Sequence, residues 1–445
     1  MQRNRTAAGL NVLWIVDDDH PQYMMASMPV TRQQIRDVGS DFTLGHADIP
    51  LCGPARTSLL TGLAADNHGC LTNRTWPEFT AAGYNEVTVA RYLKEAAYVT
   101  GHFGKYINAK TDHTYQPAPY FDRWCETEGR EDSSPNSVSV DGHKFDLPAS
   151  LQPSIWAANR CADFIRARAG RTWFAQYCPT IPHQPYTPSR AAKHLYDGSR
   201  RRAPSVNEAD MSDKPAWMRS LPANVGAGAQ ADYEGKLEEL ADLDRKGITN
   251  ILAALRETRQ LANTVIFYVS DNGYLHGEHR LRHKDQPYWE SAQIPFFVKG
   301  PGVRASKRTV LTSHVDLFPT TLEIAGLDPA SFAVDGRSMW PHLGASSFSG
   351  WRRRMLVAGS DDVGPEENPG GANNPSGRWW LLREDEKAFV LHENGTKELY
   401  WMGVDPYQER NRARTADPVL IARLTDMTRA MIRATGGKRR RLEVA

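Results

Sequence analysis

Short, continuous apolar runs recur through the N-terminal part of the chain. The first, 11–16, is rich in β-branched residues and has no polar alternation, which is typical of a strand buried on both faces. The other runs that predict strands are 98–103, 173–177, 264–269 and 295–299. Apolar residues at helical spacing over 88–97 and 237–259 predict helices between them. This alternation predicts an α/β fold with a large, mostly parallel central sheet sandwiched by helices.

The pattern changes in the last quarter of the chain. Segments 379–383 and 387–391 are short apolar runs that predict paired strands, followed by a turn at Asn394-Gly395 and a helix over 418–434. These elements predict a small C-terminal α+β domain with an antiparallel sheet. We therefore expect a catalytic domain at 9–345 and a C-terminal subdomain at 346–445.

Composition narrows the possible partners. The 445 residues are 40% hydrophobic and 24% charged, with a formal net charge of +2, so a nucleic acid or another polyanion is not expected to be the partner. The basic run Lys438–Arg441 predicts a solvated terminal tail. Segments 200–233 and 363–378 are polar and rich in Pro and Gly or Ala, and they predict irregular surface loops.

The cysteines and the N-terminus bear on location. The five cysteines are an odd number at irregular spacings, which favours reduced thiols over a disulfide framework. The apolar run Leu10–Val16 is too short to span a membrane, and no secretion signal is visible. We expect a cytoplasmic protein with no membrane partner, or a secreted or periplasmic one if a signal has been removed.

One segment places a cysteine at the predicted start of a helix. In 51–62, Cys52 comes just before Pro54, a residue that suits the first turn of a helix, and Arg56 follows within a turn. Backbone N–H groups and a nearby cation stabilise an anion at such a position. From local chemistry alone, a buried cysteine before an ordinary helix is an equally good interpretation.

Oxygen-bearing side chains follow two predicted strands. Asp17, Asp18 and Asp19 end the first strand, and Asp271 and Asn272 end the strand at 264–269. Carboxylates with an amide carbonyl are ligands that suit Ca²⁺ or Mg²⁺ rather than Zn²⁺. Taken singly, each acidic group is also typical of a turn or a helix cap.

The spacing C-x-P-x-R-x-x-x-x-T-G, formed by Cys52, Pro54, Arg56, Thr61 and Gly62, resembles the signature of the type I sulfatases. The resemblance implies an alkaline-phosphatase-like fold. It also implies that a formylglycine-generating enzyme oxidises the cysteine to formylglycine, whose hydrated aldehyde attacks the sulfur of a sulfate ester. In the family, positions 53 and 55 more often carry a hydroxyl residue, whereas this chain has glycine and alanine.

The resemblance also carries over ligands and cations by position. It implies that one divalent ion, Ca²⁺ or alternatively Mg²⁺, is held by Asp18, Asp19, Asp271 and Asn272. It implies that the sulfate or the leaving oxygen is contacted by the fixed cations and the histidine that match family positions, namely Lys105, His183 and Lys284.

The chain departs from the family pattern after the first of these lysines. Many sulfatases continue Gly-Lys-Trp-His, whereas this chain reads Gly-Lys-Tyr-Ile-Asn at 104–108, which resembles the glucosamine-6-sulfatase branch. Asn108 is therefore a candidate for a polar contact with substrate. His276 and His279 follow the proposed metal ligands and are further candidates for substrate binding or for protonating the leaving oxygen.

The sequence thus predicts a sulfatase that acts on a small sulfated substrate, an aryl or carbohydrate sulfate ester. The nearest alternative is a phosphonate monoester or phosphodiester hydrolase on the same fold, because phosphoryl and sulfuryl groups need similar metal and cation placement. A second alternative is a binding protein in which Cys52 stays a thiol.

Overall fold

The computed structural model describes residues 9–108, 116–127, 137–148, 150–360 and 377–444. Most of the predicted loop at 363–378 lies outside these residues. The described strands are β1 (Asn11–Asp17), β2 (Ser40–His46), β3 (Val99–Gly104), β4 (Arg123–Thr127), β5 (Ser137–Val140), β6 (His143–Asp146), β7 (Trp173–Cys178), β8 (Thr264–Ser270), β9 (Leu275–His276), β10 (Arg282–His283), β11 (Phe296–Lys299), β12 (Ser306–Ser313), β13 (Arg354–Ala358), β14 (Trp379–Glu384), β15 (Lys387–His392) and β16 (Lys397–Trp401).

The α-helices of the described residues vary from single turns to four turns. They are α1 (Pro29–Thr31), α2 (Cys52–Thr61), α3 (Ala65–His68), α4 (Thr75–Ala81), α5 (Val89–Glu95), α6 (Pro153–Ala167), α7 (Gly226–Asp242), α8 (Thr249–Glu257), α9 (Trp289–Ala292), α10 (Leu317–Ile324), α11 (Trp340–Leu343), α12 (Pro418–Ile432) and α13 (Gly436–Val444).

A ten-stranded sheet forms the body, in the order β12-β2-β11-β8-β1-β7-β3-β4-β5-β6. The central run from β8 to β4 is parallel, and β11 enters antiparallel between β8 and β2. Side chains of β1 alternate between two cores: Leu13 and Ile15 face one, and Val12, Trp14 and Val16 face the other. Burial on both faces explains the unbroken apolar run, and the predicted α/β fold class is confirmed.

The predicted helix 237–259 is longer and more complex than expected. α7 begins at Gly226, inside the segment predicted to be irregular, and a π-helical stretch, Leu243–Ile248, joins α7 to α8. The prediction of an irregular segment throughout 200–233 was therefore wrong at its end. The Gly-Ala-Gly-Ala start of the helix has too little apolar periodicity to reveal itself in sequence.

The C-terminal part forms a separate four-stranded antiparallel sheet in the order β13-β14-β15-β16, as the paired runs predicted. Helix α12 packs on it through Leu424 and Met431. The predicted solvated tail was wrong: residues 436–444 form α13, and Arg439 is buried. Partners explain this, because Glu443 of this helix pairs with Arg337 and Arg352.

No helix among the described residues has both the length and the apolar character needed to cross a bilayer.

Candidate functional site

The carboxyl ends of β1 and β8 bring the two oxygen-rich segments together. The strands pair in parallel register, with Asp17 opposite Ser270, so the residues that follow emerge side by side. The backbone N–H of Asp271 donates to the carbonyl of Asp17 at 2.9 Å, and that of Asp19 donates to Oδ1 of Asp271 at 3.1 Å. These groups thus lie at the carboxyl ends of central strands, where the functional groups of an open α/β fold are expected.

Cys52 is the first residue of α2 and is fully buried. Leu51 before it is extended, and every residue of the helix is buried, so the position of Cys52 is set by packing on all sides. Its Sγ lies 3.3 Å from Oδ1 of Asp18, to which the thiol donates, and accepts from Nζ of Lys284 at 2.8 Å. The predicted helix N-terminus therefore faces the oxygen cluster.

The glycine at position 53 has a local reason. A Cβ built there would lie 2.0 Å from Oγ1 of Thr75 and 3.3 Å from the Cβ of Asn108. The Gly53 N–H donates to the side chain of Asn73 at 3.0 Å. Side chains from α4 and the neighbouring loop thus fill the space that a side chain at position 53 would occupy.

Three cations, all buried, hold the three carboxylates. Lys105 Nζ lies 2.6 Å from Oδ2 of Asp18, and Lys284 Nζ lies 2.6 Å from Oδ1 of Asp19. Arg56 donates to Oδ2 of Asp271 from Nε at 3.0 Å, and its Nη2 lies 2.9 Å from the same oxygen. Charge pairing of this kind offsets the cost of burying each group.

His183 is the most exposed member of this group, with its side chain 23% exposed. Its Nε2 lies 3.8 Å from Oδ2 of Asp19, and its Nδ1–H donates to the carbonyl of Gln184 at 2.8 Å. Burial, together with Lys284, lowers the pKa of His183 to about 3, so the imidazole is neutral here.

The pKa values of Asp18 and Asp19 are shifted in the opposite direction to the pKa of the Cys52 thiol. Burial alone would raise the pKa values of Asp18 and Asp19, but Lys105 beside the first and Lys284 beside the second hold both pKa values well below the usual range. Burial, reinforced by Asp18, raises the pKa of the Cys52 thiol well above its ordinary value. The unmodified thiol is therefore protonated and a poor nucleophile, despite its place at a helix N-terminus.

Several of these side chains fit a divalent ion. Ligand atoms of Asp18, Asp19, Cys52 and His183 all lie within 4.8 Å of one another. Asn272 donates from Nδ2 to Oδ1 of Asp19 at 2.7 Å, while its own buried Oδ1 has no hydrogen-bond partner among the described residues. Carboxylate oxygens beside an unused amide oxygen form a donor set that suits a hard cation.

Sequence reasoning missed Lys236, which lies on α7 and is completely buried. Its Nζ donates to the carbonyls of Asp19 at 3.2 Å and Pro182 at 2.9 Å, lies 3.8 Å from Oδ2 of Asp19, and sits 4.0 Å from the ring centroid of Tyr274. A lysine among charged helix residues gives no signal in one sequence, because the solvated interpretation is the ordinary one.

Asp17, next to the predicted ligands, has a different set of partners. It is fully buried, and its Oδ2 accepts from Tyr268 and lies 2.8 Å from Nδ1 of His20. These contacts tie Asp17 to β8 and to the turn that follows β1, which gives it a role in holding the end of the strand in place.

The three predicted substrate-binding residues lie in different surroundings. Asn108 is near the start of α2, since its Cβ lies 3.3 Å from the position of a Cβ at Gly53. His276 is buried with Nδ1 2.6 Å from the hydroxyl of Tyr23, and His279 is buried with Nδ1 2.6 Å from Oε2 of Glu208. The roles of these three residues in binding stay predictions.

Comparison with known proteins gives a family and a set of relatives. The family model described as Sulfatase matches residues 15–327. A putative extracellular sulfatase Sulf-1 homolog of Caenorhabditis elegans is 30% identical over 348 residues, which cover 74% of this chain but 48% of that protein. Human N-acetylglucosamine-6-sulfatase is 25% identical over 467 residues, covering 93% of this chain and 83% of the relative. The chain thus spans about half of the worm relative's length.

Solved structures share the fold at low identity. A protein in complex with its substrate D-glucosamine-2-N,6-O-disulfate has a TM-score of 0.75 and 19% identity, covering 95% of this chain and 97% of the other. The phosphonate monoester hydrolase of Silicibacter pomeroyi has a TM-score of 0.74 and 21% identity, covering 95% and 94%. This likeness shows the fold. One of the two matched proteins binds a disulfated sugar, and the other is a phosphonate hydrolase.

Proposed function

The chain belongs to the sulfatase family, and on that premise we propose that it hydrolyses a sulfate ester to an alcohol and sulfate, with Cys52 converted to formylglycine. The observation that carries the proposal is the contact between Cys52 Sγ and Lys284 Nζ at 2.8 Å, beside Asp18 at 3.3 Å. A buried cysteine enclosed by carboxylates and lysines is poorly explained as packing, because charges are costly inside a protein.

Conversion of Cys52 is central to this mechanism. The thiol has a raised pKa, so it would seldom ionise to attack. A hydrated aldehyde instead supplies one hydroxyl to attack sulfur and a second to expel sulfate by reforming the aldehyde. A formylglycine-generating enzyme is therefore the partner that the proposal requires during maturation.

Asp18, Asp19, Asp271 and Asn272 are the residues that we propose hold a Ca²⁺ or Mg²⁺ ion, and the unpaired Asn272 Oδ1 supports that assignment. When bound, such an ion polarises a sulfate oxygen and favours ionisation of a nearby hydroxyl. Asp18 and Asp19 also keep their negative charge, because Lys105 and Lys284 lower their pKa values.

Lys105 and Lys284 have a second role in the proposal. Each is buried and reaches the edge of the cluster next to residue 52, where a sulfuryl group under attack would lie. Fixed cations in a site of low dielectric stabilise charge that develops on the sulfuryl oxygens without reorganisation. His183 lies beside them and is partly exposed, which supports a proposed contact with the leaving oxygen of the substrate.

The proposed substrate is a sulfated sugar. The Gly-Lys-Tyr-Ile-Asn segment at 104–108 departs from the commoner histidine-containing pattern, and N-acetylglucosamine-6-sulfatase is a relative over nearly the whole chain. An aryl sulfate fits the same chemistry and serves as a convenient assay substrate.

The second candidate is a phosphonate monoester or phosphodiester hydrolase, favoured by the structural likeness to phosphonate monoester hydrolase. Parallel assays on an aryl sulfate, a phosphodiester and a phosphonate monoester separate the two. We expect the highest kcat/KM on the sulfate ester. A higher kcat/KM on either phosphorus substrate would replace the proposed function by the second candidate.

A further inference from the structure

The residue that follows Lys284 is held by an unusual set of contacts. Asp285 is buried, with 1% of its surface exposed, and its backbone is left-handed at φ 57°. His283, on the other side of Lys284, is also left-handed at φ 71°. Such conformations are unfavourable for residues other than glycine, and they persist where the surroundings fix them.

Asp285 joins three parts of the protein through its backbone and its carboxylate. Its N–H donates to the carbonyl of Pro50 at 3.1 Å, two residues before Cys52. Its carboxylate oxygens accept from the N–H of Ser360 at 3.1 and 3.2 Å, and its carbonyl accepts from Nε1 of Trp379 at 3.2 Å.

Two of these partners belong to the C-terminal sheet. Trp379 is the first residue of β14 and is completely buried, and Ser360 is the second residue after β13. The end of β13 also reaches the segment before Cys52, because the Ala358 N–H donates to the carbonyl of Asp48 at 2.9 Å. Lys284 Nζ and Cys52 Sγ lie 2.8 Å apart. The C-terminal sheet therefore contacts both segments, the one that carries Cys52 and the one that carries Lys284.

We propose that Asp285 is a positioning residue, which sets Lys284 against residue 52 and makes the C-terminal four-stranded sheet part of the active site. The inference rests on the proposed function and deepens it, because it gives the C-terminal sheet a part in placing Lys284. Lysine has a long, flexible side chain, so a fixed backbone narrows the positions that its Nζ can take and favours the one beside Asp19 and residue 52.

The test compares Asp285→Ala, which removes the acceptor for Ser360, with Asp285→Asn, which keeps an acceptor and tolerates the left-handed backbone. Asp385→Ala is the matched control, because Asp385 is also left-handed, at φ 49°, but is exposed in the turn between β14 and β15 and pairs with Arg353. Misplacement of a catalytic group costs up to about 100-fold in rate. We expect kcat/KM to fall roughly 10- to 100-fold in Asp285→Ala, and to stay within about threefold of wild type in the other two variants.

A Lys284→Ala background separates positioning from general destabilisation. In that background Asp285→Ala should cause almost no further loss, because the group that it positions is absent. An equal loss in both backgrounds, or equal activities of Asp285→Ala and Asp385→Ala, would overturn the inference. Trp379→Phe, which removes the indole donor together with part of the buried ring, gives a milder form of the same comparison should Asp285→Ala not fold.

Failure of the proposed function has its own signature, which is a wild-type enzyme that does not hydrolyse sulfate esters. In that case a crystal structure of Asp285→Ala still tests the positioning role. We expect Nζ of Lys284 to move away from residue 52 in that structure. An unmoved lysine would refute the role whatever the reaction.

Discussion

Two buried groups of charged residues in this protein are built alike but paired differently. The Cys52 cluster consists of Asp18, Asp19, Cys52, Lys105 and Lys284, at the carboxyl ends of the central strands of the large sheet. The Glu398 cluster, within and beside the C-terminal sheet, consists of Lys214, Tyr288, His392, Glu398 and Tyr400. Both contain carboxylate and lysine away from solvent, so burial of charge alone does not distinguish them.

The Glu398 cluster saturates its carboxylate. One oxygen lies 2.8 Å from Nε2 of His392, and the other accepts from the hydroxyls of Tyr288 at 2.9 Å and Tyr400 at 2.5 Å. Lys214 lies 4.8 Å from the ring centroid of Tyr400. A carboxylate with both oxygens hydrogen-bonded in this way is typical of a structural role, in which the network stabilises the fold.

The Cys52 cluster instead brings two carboxylates together, and an amide oxygen beside it has no partner in the part of the chain that the structure describes. Asp18 and Asp19 have ligand atoms within 4.8 Å of each other, and the neighbouring Asn272 Oδ1 has no hydrogen-bond partner among the described residues. The difference teaches that two carboxylates crowded beside an unpaired amide oxygen, rather than charge burial alone, distinguish the site. Changes in the first cluster should therefore affect activity, and changes in the second should affect stability.

The largest effect is expected for Cys52→Ala. Removal of the proposed nucleophile should lower kcat by about 10⁴-fold or more, as loss of a covalent catalyst does. The unfolding temperature should change by only a few degrees, since the substitution removes only the atoms beyond the Cβ. Cys70→Ala, at a buried cysteine packed elsewhere, is the control and should keep its activity. Turnover by Cys52→Ala near the wild-type rate would contradict the account.

Chelation is expected to abolish activity, and Ca²⁺ or Mg²⁺ should restore it where Zn²⁺ does not, because the donors are hard oxygens. Binding should also stabilise the folded protein by about 2.7 kcal/mol at an ion concentration 100 times Kd, and so raise the unfolding temperature. Calorimetry with and without ion measures this without an assay. The stabilisation should shrink in Asn272→Ala, and restoration by zinc alone would argue against an oxygen site.

The smallest effect on catalysis is expected for Glu398→Gln. The amide cannot accept both tyrosine hydroxyls and the histidine equally, so the free energy of unfolding should fall by about 1–3 kcal/mol. Below the unfolding temperature, kcat should be unchanged. Glu386→Gln, at an exposed position beyond β14, is the matched control and should change neither quantity.

The same substitution gives a pH test. Burial would raise the pKa of Glu398, but hydrogen bonds from His392 and Tyr400 outweigh it and lower the pKa below its usual 4.5. The contribution to stability is therefore present above that pH and is lost as pH falls through the folded-state pKa. Denaturation curves of Glu398→Gln should depend less steeply on pH in this range than those of wild type. Identical pH dependence would show that the carboxylate is not part of a stabilising network.

Much of the fold was predictable because its strands are buried on both faces and read as unbroken apolar runs. The pairing of β14 with β15 and the helix α12 followed from period and turn signals in the same way. The start of α7 was not predictable, because its Gly-Ala-Gly-Ala sequence lacks apolar periodicity. The helical C-terminus was not predictable because it depends on partners distant in sequence, such as Arg352 for Glu443. Local patterns cannot specify such contacts.

Some residues of the candidate site were also predictable from the sequence, and others were not. Cys52 and the acidic strand ends were visible because spacing and strand termini place them. Lys236 and Asp285 were not, since each acts through backbone carbonyls or N–H groups that only the tertiary structure brings near. Residues that contact main chain rather than side chains leave little trace in one sequence.

The most direct test of the central claim is a mass spectrum of the peptide that contains Cys52, taken from enzyme whose turnover on an aryl sulfate has been measured. The account predicts that this residue has lost its sulfur and carries an aldehyde, in a fraction that tracks the specific activity. A fully active preparation in which residue 52 is an unmodified thiol would contradict it.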